Sequence, residues 1–200
     1  MSVNPEPSHE TGSAGPEPDA VTGTATGTAT DVVADAKAMR RAFGMFATGV
    51  TVVTVGGGGP HAMTANSFTS VSLDPPLVLV CVDRGAIMHG RLAAEGTFGV
   101  SVLAADQESL ARHFSNRWRP LGAAQFDTVD WLPGPLTGAP LLAGTLARFE
   151  CELWRAYDGG DHSIFIGRVL SMEQQDDRDG LLFFHGRFRR IIPDRSEVTA

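Results

Sequence analysis

Short runs of β-branched and aromatic residues, separated by turn residues, constrain the fold of this chain most strongly. Such runs are typical of β-strands, and the glycines at 56–59 indicate a hairpin turn. Because the runs outnumber the predicted helices, we predict a mainly β fold, a closed or nearly closed antiparallel barrel with a few peripheral helices. A doubly wound parallel sheet would need a helix between most strands. The strand-like runs lie at 50–55 (VTVVTV), 61–73, 77–82 (LVLVCV), 97–103, 144–157, 162–174, 180–186 and 187–192.

Three segments carry helical signals. The first has apolar residues at three- and four-residue spacing, so we predict an amphipathic helix that Gly49 ends. At this spacing Phe43, Met45 and Phe46 are expected in the core rather than in an aromatic ligand site. In the third segment Asp106 is the expected N-cap. The segments are DAKAMRRAFGMFATG (35–49), IMHGRLAAEG (87–96) and DQESLARHF (106–114).

The length of 200 residues and the composition fit one folded domain with unstructured ends. Pro, Gly, Ser, Thr and acidic residues dominate the start of the chain, which includes the low-complexity run TGTATGTAT. Such a segment buries too little apolar surface to offset its ordering entropy. We therefore expect a disordered tail over 1–34, a folded domain over 35–193 and a flexible C-terminus over 194–200.

Charge and cysteine content exclude several classes of protein. The formal net charge is −7, which argues against a nucleic-acid binder because such proteins carry a clustered basic face. The short basic run 187–190 (RFRR) is expected to be a solvated strand end. Cys81 and Cys151 each lie in an apolar run and are expected to be buried free thiols, and the scattered histidines lack metal-ligand spacing. Without a long apolar run or a signal-peptide pattern, we expect a cytoplasmic protein with no membrane span.

Polar residues crowd the stretch HAMTANSFTSVSLDPP (61–76), beside the most apolar run of the chain. On one continuous strand, Thr64, Asn66, Ser70 and Ser72 would share a face. Because burying unpaired polar groups is unfavourable, two explanations stay open: the side chains bond neighbouring backbone or water, or they line a groove for a flat polar ligand. The small side chains favour the groove, since they let a planar ring approach the backbone.

The connection at 115–139 has no clear periodicity and is long for a structureless link, so we expect it to be functional. Its Trp118 and Trp131 would either cover a ligand or pack on a partner subunit. The chain contains neither GxGxxG after a strand nor GxxxxGK[ST], so these two nucleotide-binding loops are not predicted.

Four motifs, in this order and spacing, resemble the flavin reductase-like family, the small reductase components of two-component flavin-dependent monooxygenases. The resemblance implies an FMN-binding split β-barrel, an antiparallel Greek-key barrel that is usually a homodimer. It also implies NADH- or NADPH-dependent reduction of free FMN or FAD, which is then released to a separate monooxygenase. The block TANSFTSVSLDPP is its most specific part. The motifs are MFATGVTVVTV (45–55), HAMTANSFTSVSLDPPLVLVCVDR (61–84), GDHSIFIGRV (160–169) and LLFFHGRF (181–188).

The resemblance also implies which residues bind the cofactors. The flavin wall would comprise Pro60, His61, Ala62, Met63, Thr64, Asn66, Ser67, Ser70, Val71 and Ser72. The ribityl and phosphate side would comprise Cys81, Val82 and Asp83, with a further contact from His113 and Phe114. The nicotinamide side would comprise Asp161, His162, Phe183, Phe184, His185 and Gly186. Many members carry phosphate-binding hydroxyl residues after the position of Asp83, but this chain reads DRGAIMHG, so Arg84 and His89 are expected to hold the phosphate.

The implied reaction needs no nucleophile, because the cofactors carry the reactivity and the protein supplies binding and orientation. His162, beside Asp161, is the best candidate to orient the nicotinamide; the alternative is that it only caps the turn. Two other functions stay open: a non-catalytic split-barrel module that holds flavin or haem, and an oxidase that retains FMN. The choices between FMN and FAD, and between NADH and NADPH, also stay open.

Overall fold

The computed structural model describes residues 35–175 and 178–191. The predicted tail over 1–34 and the predicted C-terminus over 194–200 lie outside these ranges. Strands predominate in the described part, as predicted; one α-helix precedes them and two lie between them. None of the helices in these ranges is long and apolar enough to cross a bilayer.

The helices and strands follow the turn and periodicity signals closely in position. The helices are α1 (Ala36–Phe43), α2 (Ile87–Glu95) and α3 (Glu108–Ser115), and a 3-10 helix covers Gly122–Phe126. The strands are β1 (Thr48–Gly49), β2 (Thr51–Val55), β3 (His61–Ala65), β4 (Thr69–Leu73), β5 (Pro76–Asp83), β6 (Thr97–Val102), β7 (Trp131–Pro133), β8 (Pro140–Leu142), β9 (Ala147–Gly159), β10 (His162–Gln174), β11 (Leu181–Phe184) and β12 (Arg187–Arg190).

The main sheet contains seven antiparallel strands in the order β3-β2-β6-β9-β10-β5-β4. Its edge strands, β3 and β4, are consecutive in the chain and separated only by residues 66–68. Four residue steps span at most about 14 Å, so the two edges approach each other and the sheet curls into a barrel. The barrel stays split between β3 and β5. There the Ser67 hydroxyl bonds both the N–H and the C=O of Cys81 at 3.0 Å, in place of a neighbouring strand.

Apolar side chains of the strands and of α2 fill the interior of the barrel. Met88 and Leu92 of α2 are fully buried against Phe98 and Phe165. Gly167 of β10 leaves room for this packing, because a Cβ at its position would overlap the ring of Phe98. The helix α2 is therefore fixed to the barrel through its apolar face.

A second core attaches α3 and the small sheet β1-β11-β12 to the outside of the barrel. Leu103 and Leu142 are fully buried in it. Phe126 of the 3-10 helix lies between Phe114 and Trp131, with ring centroids 5.6 and 5.5 Å apart. Trp131 therefore packs partly against its own chain's core, and the two alternatives for it, covering a ligand or packing on a partner subunit, stay predictions.

The prediction for the first helix is wrong in two respects. The helix α1 ends at Phe43 rather than at Gly49, and it buries none of its residues. The predicted core residues Phe43, Met45 and Phe46 are 69%, 62% and 76% exposed. Helical spacing identifies an apolar face but not what covers it, and among residues 35–175 and 178–191 of the single chain nothing covers this face.

Three smaller predictions also need correction. The single strand predicted over 61–73 is two strands, because the chain turns at 66–68. Asp106 does not cap α3; the N-cap is Gln107, and the Asp106 carboxylate instead pairs with Arg178 at 2.5 Å. Cys81 and Cys151 are free, as predicted, but Cys81 is only half-buried.

Candidate functional site at the split of the barrel

A cavity of about 460 Å³ lies at the split, between β3 and the end of β5. Three parts of the chain form it: β3, the turn from β5 into α2, and the connection that follows α3. Its volume falls within the range of small-molecule sites. The lining residues are His61, Met63, Thr64, Asp83, Gly85, Ala86, Ile87, Met88, Phe114, Ser115, Arg117, Arg119 and Leu121.

The open edge of β3 offers backbone groups to this cavity. The Ala62 N–H donates to Oε1 of Gln125 at 2.9 Å, and the Ala62 C=O accepts from the Arg119 guanidinium. Alternate residues of a strand direct these groups to the same side. Thr64 follows two residues later, so its N–H and C=O also face the open edge, where a flat ligand can bond to them.

The fully buried Gln125 fastens the connection after α3 to this edge. Its side-chain amide donates to the carbonyls of Pro60 and Gly122, both at 2.9 Å, while its oxygen accepts the Ala62 N–H. The Nε2 of His113 lies 2.8 Å from the Gln125 carbonyl oxygen. One side chain therefore sets the distance between two walls of the cavity.

His61 begins β3 and is buried between two arginines. Burial, followed by the charges of Arg119 and Arg91, lowers the pKa of His61 from 6.5 to about 4. Arg119 approaches the His61 Nε2 at 3.4 Å. The ring is therefore neutral at neutral pH and adds hydrogen-bonding capacity without adding charge.

Cationic and backbone donor groups both line the cavity. Ile87 begins α2 there, and the residue before it makes no side-chain capping bond, so the first N–H groups of the helix stay uncapped. Arg117 and Arg119, from the connection after α3, line the same cavity. Asp83 is the single carboxylate among the lining residues, and it accepts a hydrogen bond from the next-but-one N–H at 2.7 Å. This arrangement favours an anionic ligand.

The residues present fit a flavin. A flavin combines a flat, largely apolar ring that has hydrogen-bonding edges with an anionic phosphate tail. Met63, Phe114 and Leu121 give the cavity apolar surface, the Thr64 backbone gives edge partners, and the helix start and the arginines suit the phosphate. Among the described residues no group of three His, Cys, Asp or Glu side chains is placed to bind a metal ion.

The side chains of the polar block bond mostly to the protein itself. The Thr64 hydroxyl donates to the Ala111 carbonyl of α3 at 2.8 Å, and the Asn66 amide donates to the Thr48 hydroxyl at 3.2 Å. Ser67 bonds the backbone of β5, as described above. Of the two explanations left open by the sequence, bonding to protein groups accounts for these side chains, while the strand backbone and adjacent residues form the groove.

The cavity gathers five of the predicted flavin-binding residues, and their contact with flavin stays a prediction. These are His61, Met63, Thr64, Asp83 and Phe114. Others adjoin them along the chain without lining the cavity: Pro60, Ala62, Asn66, Ser67, Cys81, Val82 and Arg84. The predicted wall at Ser70, Val71 and Ser72 is not brought to the cavity, because the turn at 66–68 carries β4 to the far side of the split.

Two predicted histidine contacts are directed elsewhere. The Nε2 of His89 lies 2.9 Å from the Ser163 hydroxyl, and its ring packs edge-on against Phe165 at 5.2 Å. The reason is that α2 turns this side chain toward β10 while its N-terminus faces the cavity. His113 bonds the Gln125 carbonyl instead of lining the cavity. Both histidines join protein elements to each other, and the phosphate role of His89 stays a prediction.

The predicted nicotinamide residues Asp161 and His162 lie next to the cavity. His162 pairs with Asp83, a lining residue, in the ladder between β10 and β5. Its Nδ1 lies 2.7 Å from the Asp161 carboxylate, and this hydrogen bond is the main cause that lowers the pKa of Asp161. The Arg84 N–H donates to the Asp161 carbonyl at 3.0 Å, which ties the two turns together. The exposed edge of His162 remains open to a ligand.

The turn between β11 and β12 is not brought to the cavity within one chain. His185 and Gly186 form a two-residue hairpin turn with φ of 52° and 71°. The His185 N–H donates to the Gly44 carbonyl at 2.8 Å, just after α1. Phe183 packs edge-to-face on Phe188, with centroids 5.5 Å apart, as part of the second core. That Phe183 faces the nicotinamide stays a prediction.

Of the lining residues that the sequence interpretation missed, Arg117 and Arg119 carry charge, and Gln125, which holds β3, was missed as well. All lie in the connection over 115–139, which its length alone marked as functional. A local signal existed, since two arginines flank a tryptophan in a stretch with no acidic residue before Asp127.

Comparison with known proteins identifies the family. A sequence model of the flavin reductase like domain matches residues 39–191. The chain belongs to the flavin reductase-like family. The NADH-dependent FAD reductase of Streptomyces globisporus is 59% identical to this flavin reductase-like chain over 162 residues, which cover 81% of this chain and 89% of that protein.

Two further relatives extend the comparison. The reductase subunit HsaB of a flavin-dependent monooxygenase from Rhodococcus jostii is 37% identical over 163 residues, covering 81% of each chain. The crystal structure of BorF, the flavin reductase component of a bacterial two-component tryptophan halogenase, superposes with a TM-score of 0.77 at 63% identity, covering 80% of this chain and 100% of BorF. The predicted split-barrel fold and the predicted activity, nicotinamide-dependent flavin reduction, are confirmed.

Proposed function

We propose that this flavin reductase binds FAD or FMN in the cavity at the split, reduces it with NADH, and supplies the reduced flavin to a flavin-dependent monooxygenase. The observation that carries the proposal is the cavity itself. It combines a free strand edge, an uncapped helix start and two arginines, in a chain 59% identical to an NADH-dependent FAD reductase.

When both cofactors are bound, the nicotinamide supplies a hydride to the flavin ring. The chain's residues bind and orient. In this proposal the Thr64 backbone bonds the edge of the ring, Met63 and Phe114 exclude water from its surface, and the start of α2 holds the phosphate. Neutral His61 keeps the floor of the site from adding another positive charge.

His162 would orient the nicotinamide from the mouth of the cavity. Its Nδ1 is held by Asp161 at 2.7 Å, so the ring has a fixed orientation and its opposite nitrogen faces outwards. Replacing His162 with Ala should raise the KM for NADH about tenfold while flavin affinity stays within twofold. Asp158→Ala, on the same turn, is the matched control. Equal loss of flavin and NADH binding would remove His162 from this role.

A homodimer is the proposed assembly. Two apolar surfaces stay exposed in the single chain: one at Phe43, Met45 and Phe46, the other on the outer face of the β9–β10 hairpin. Exposed apolar surfaces of this kind mark protein contacts, and a two-fold pair of identical chains buries the same surface on both. The residues of the second surface are Trp154, Tyr157, Leu170 and Met172.

Light scattering tests the assembly. The wild-type protein should have about twice the 21.2 kDa mass of one chain, and Phe43→Glu with Phe46→Glu should give the mass of one chain. A wild-type mass of one chain would overturn the homodimer.

The proposed location is the cytoplasm, which the dependence of the reaction on a nicotinamide nucleotide supports.

The activity is tested with purified full-length protein, NADH or NADPH, and excess FAD, FMN or no flavin. The absorbance of the reduced nicotinamide should fall only when flavin is present, and faster with NADH. Addition of the oxygenase component encoded nearest to this chain should couple the reduced flavin to substrate oxidation. Absence of flavin-dependent oxidation with either nucleotide would overturn the proposal.

A further inference from the structure

The segment Arg117–Trp118–Arg119, called the RWR segment below, lies at the rim of the cavity just after α3. Both arginines line the cavity, and Trp118 is 93% exposed. The Trp118 N–H donates to the Asn116 side-chain oxygen at 3.0 Å, so the backbone of the segment is held while the indole ring is not. A tryptophan this exposed at the edge of a cavity marks a contact surface for a ligand or a partner.

The charge of the RWR segment is not neutralised within the described residues. Neither Arg117 nor Arg119 has a carboxylate partner there, whereas most arginines elsewhere on the barrel pair with Asp or Glu. Arg119 bonds only uncharged groups, including the Asn116 carbonyl at 2.7 Å and the Ala62 carbonyl. After burial, its charge is the next largest cause that lowers the pKa of His61. The paired arginines are Arg41, Arg84, Arg91, Arg112, Arg148, Arg168 and Arg178.

Two parts of the cavity lining suit phosphate groups. The start of α2, at Ile87 and Met88, gives one phosphate-binding position that FMN and FAD share. FAD carries a second phosphate and an adenine, which FMN lacks. The RWR segment offers what these groups require: guanidinium groups for the phosphate and an indole on which adenine can stack.

We propose that the RWR segment is a subsite for the adenosine diphosphate half of FAD and gives this enzyme its preference for FAD over FMN. Arg117 binds the second phosphate, and Trp118 stacks on the adenine. Arg119 positions the segment through its bonds to Ala62 and Asn116. The inference rests on the proposed function, since it requires flavin in the cavity at the split.

An adenosine diphosphate group also occurs in NADH, so the experiment must separate the two sources. Flavin dissociation constants are measured without nicotinamide, by quenching of flavin fluorescence, for FAD, FMN and riboflavin. The KM for NADH is measured separately with FMN as the acceptor. The variants are Arg117→Ala, Trp118→Ala and Trp118→Phe, with Arg189→Ala on the exposed strand β12 as the control.

Arg117→Ala and Trp118→Ala should each raise the dissociation constant for FAD about tenfold, with FMN and riboflavin within twofold. Trp118→Phe should restore most of the FAD affinity, because a phenyl ring still stacks. Arg189→Ala should change none of these constants. Oxidation of NADH with FMN should continue in Trp118→Ala, Trp118→Phe and Arg189→Ala, which tests the proposed function independently.

Three results would overturn the inference. Equal weakening of FAD and FMN would place the segment on the part that both flavins share. Unchanged FAD affinity with a raised KM for NADH would assign the segment to the nicotinamide cofactor. Unchanged constants with a loss of dimer mass in Trp118→Ala would make it a subunit contact.

Discussion

Residues 61–65 and residues 69–73 come from one polar block and have similar composition, but they occupy different environments. The first group forms β3, which is largely buried and lines the cavity with three of its five residues. The second forms β4, an edge strand with four of its five residues exposed. The turn at 66–68 separates them and places them on opposite sides of the split.

The difference between β3 and β4 shows what allows a polar strand to form one side of a binding site. On β3, the groups that face the open edge are fixed by distant side chains: Gln125 and Arg119 hold Ala62, and α3 accepts the Thr64 hydroxyl. On β4, the Thr69 hydroxyl has only a long 3.5 Å contact to the next residue's carbonyl. Similar residues thus become a site only where other elements order the backbone.

Gln125→Ala gives the largest expected effect, because it removes the residue that fixes β3 and has no counterpart on β4. The buried Ala62 N–H and the carbonyls of Pro60 and Gly122 would lose their partner, so the free energy of unfolding should fall by about 3 kcal/mol or more. Flavin affinity should fall as well. Urea unfolding checks this, with exposed Gln175→Ala as the control; similar small losses in both would show that Gln125 does not hold the wall.

The pH dependence of stability gives the next largest expected difference between β3 and β4, since β3 carries His61 and β4 carries no ionisable group. The folded pKa is lowered to about 4 from 6.5, so the unfolded state binds the extra proton between these values and stability is lost as pH falls from 6.5 to 4. The loss attributable to His61 is as much as about 3 kcal/mol.

Urea unfolding of the wild type and of His61→Asn at several pH values measures this contribution. The variant should lose less stability on acidification through that window, and both proteins should show parallel curves above pH 6.5. Identical pH dependence throughout would mean that the pKa of His61 is the same in the folded and the unfolded protein.

Ser67→Ala tests the turn at 66–68, which separates β3 from β4. The Ser67 hydroxyl bonds both backbone groups of Cys81, so its loss should lower the free energy of unfolding by about 2 kcal/mol. The matched control is Ser70→Ala on exposed β4, where a change within about 0.5 kcal/mol is expected. Equal effects of the two serine substitutions would contradict the role given to the turn.

The pair Thr64→Val and Thr69→Val gives the smallest and most closely matched comparison. Both changes replace a hydroxyl with a methyl group on a strand. Thr64→Val leaves the Ala111 carbonyl without its 2.8 Å donor and should cost about 1 kcal/mol. Thr69→Val should be close to neutral, because that residue is exposed. Thermal or urea unfolding distinguishes them, and a neutral Thr64→Val would show that solvent replaces the lost donor.

Local signals predicted the strands and the antiparallel barrel well, because β-branched runs and turn residues are short-range features. They failed where a contact depends on distant parts of the chain. The block at 61–73 was predicted as one strand, since no Gly or Pro marks the turn at 66–68. Phe43 and Phe46 were predicted in the core, because helical spacing identifies an apolar face but does not show whether another part of the protein covers it. Gln125 lies more than sixty residues from the two groups of the β3 region that it bonds, the Ala62 N–H and the Pro60 carbonyl, so no local pattern identifies it.

A crystal structure with bound FAD tests most directly whether the split of the barrel is the flavin site. We expect the flavin ring between β3 and the end of β5, with its edge bonded to the Thr64 backbone. The phosphates of FAD should lie between the start of α2 and the RWR segment. The face of the ring that accepts the hydride should stay open beside His162. A ring bound elsewhere, with the split filled by side chains of the protein itself, would contradict this placement.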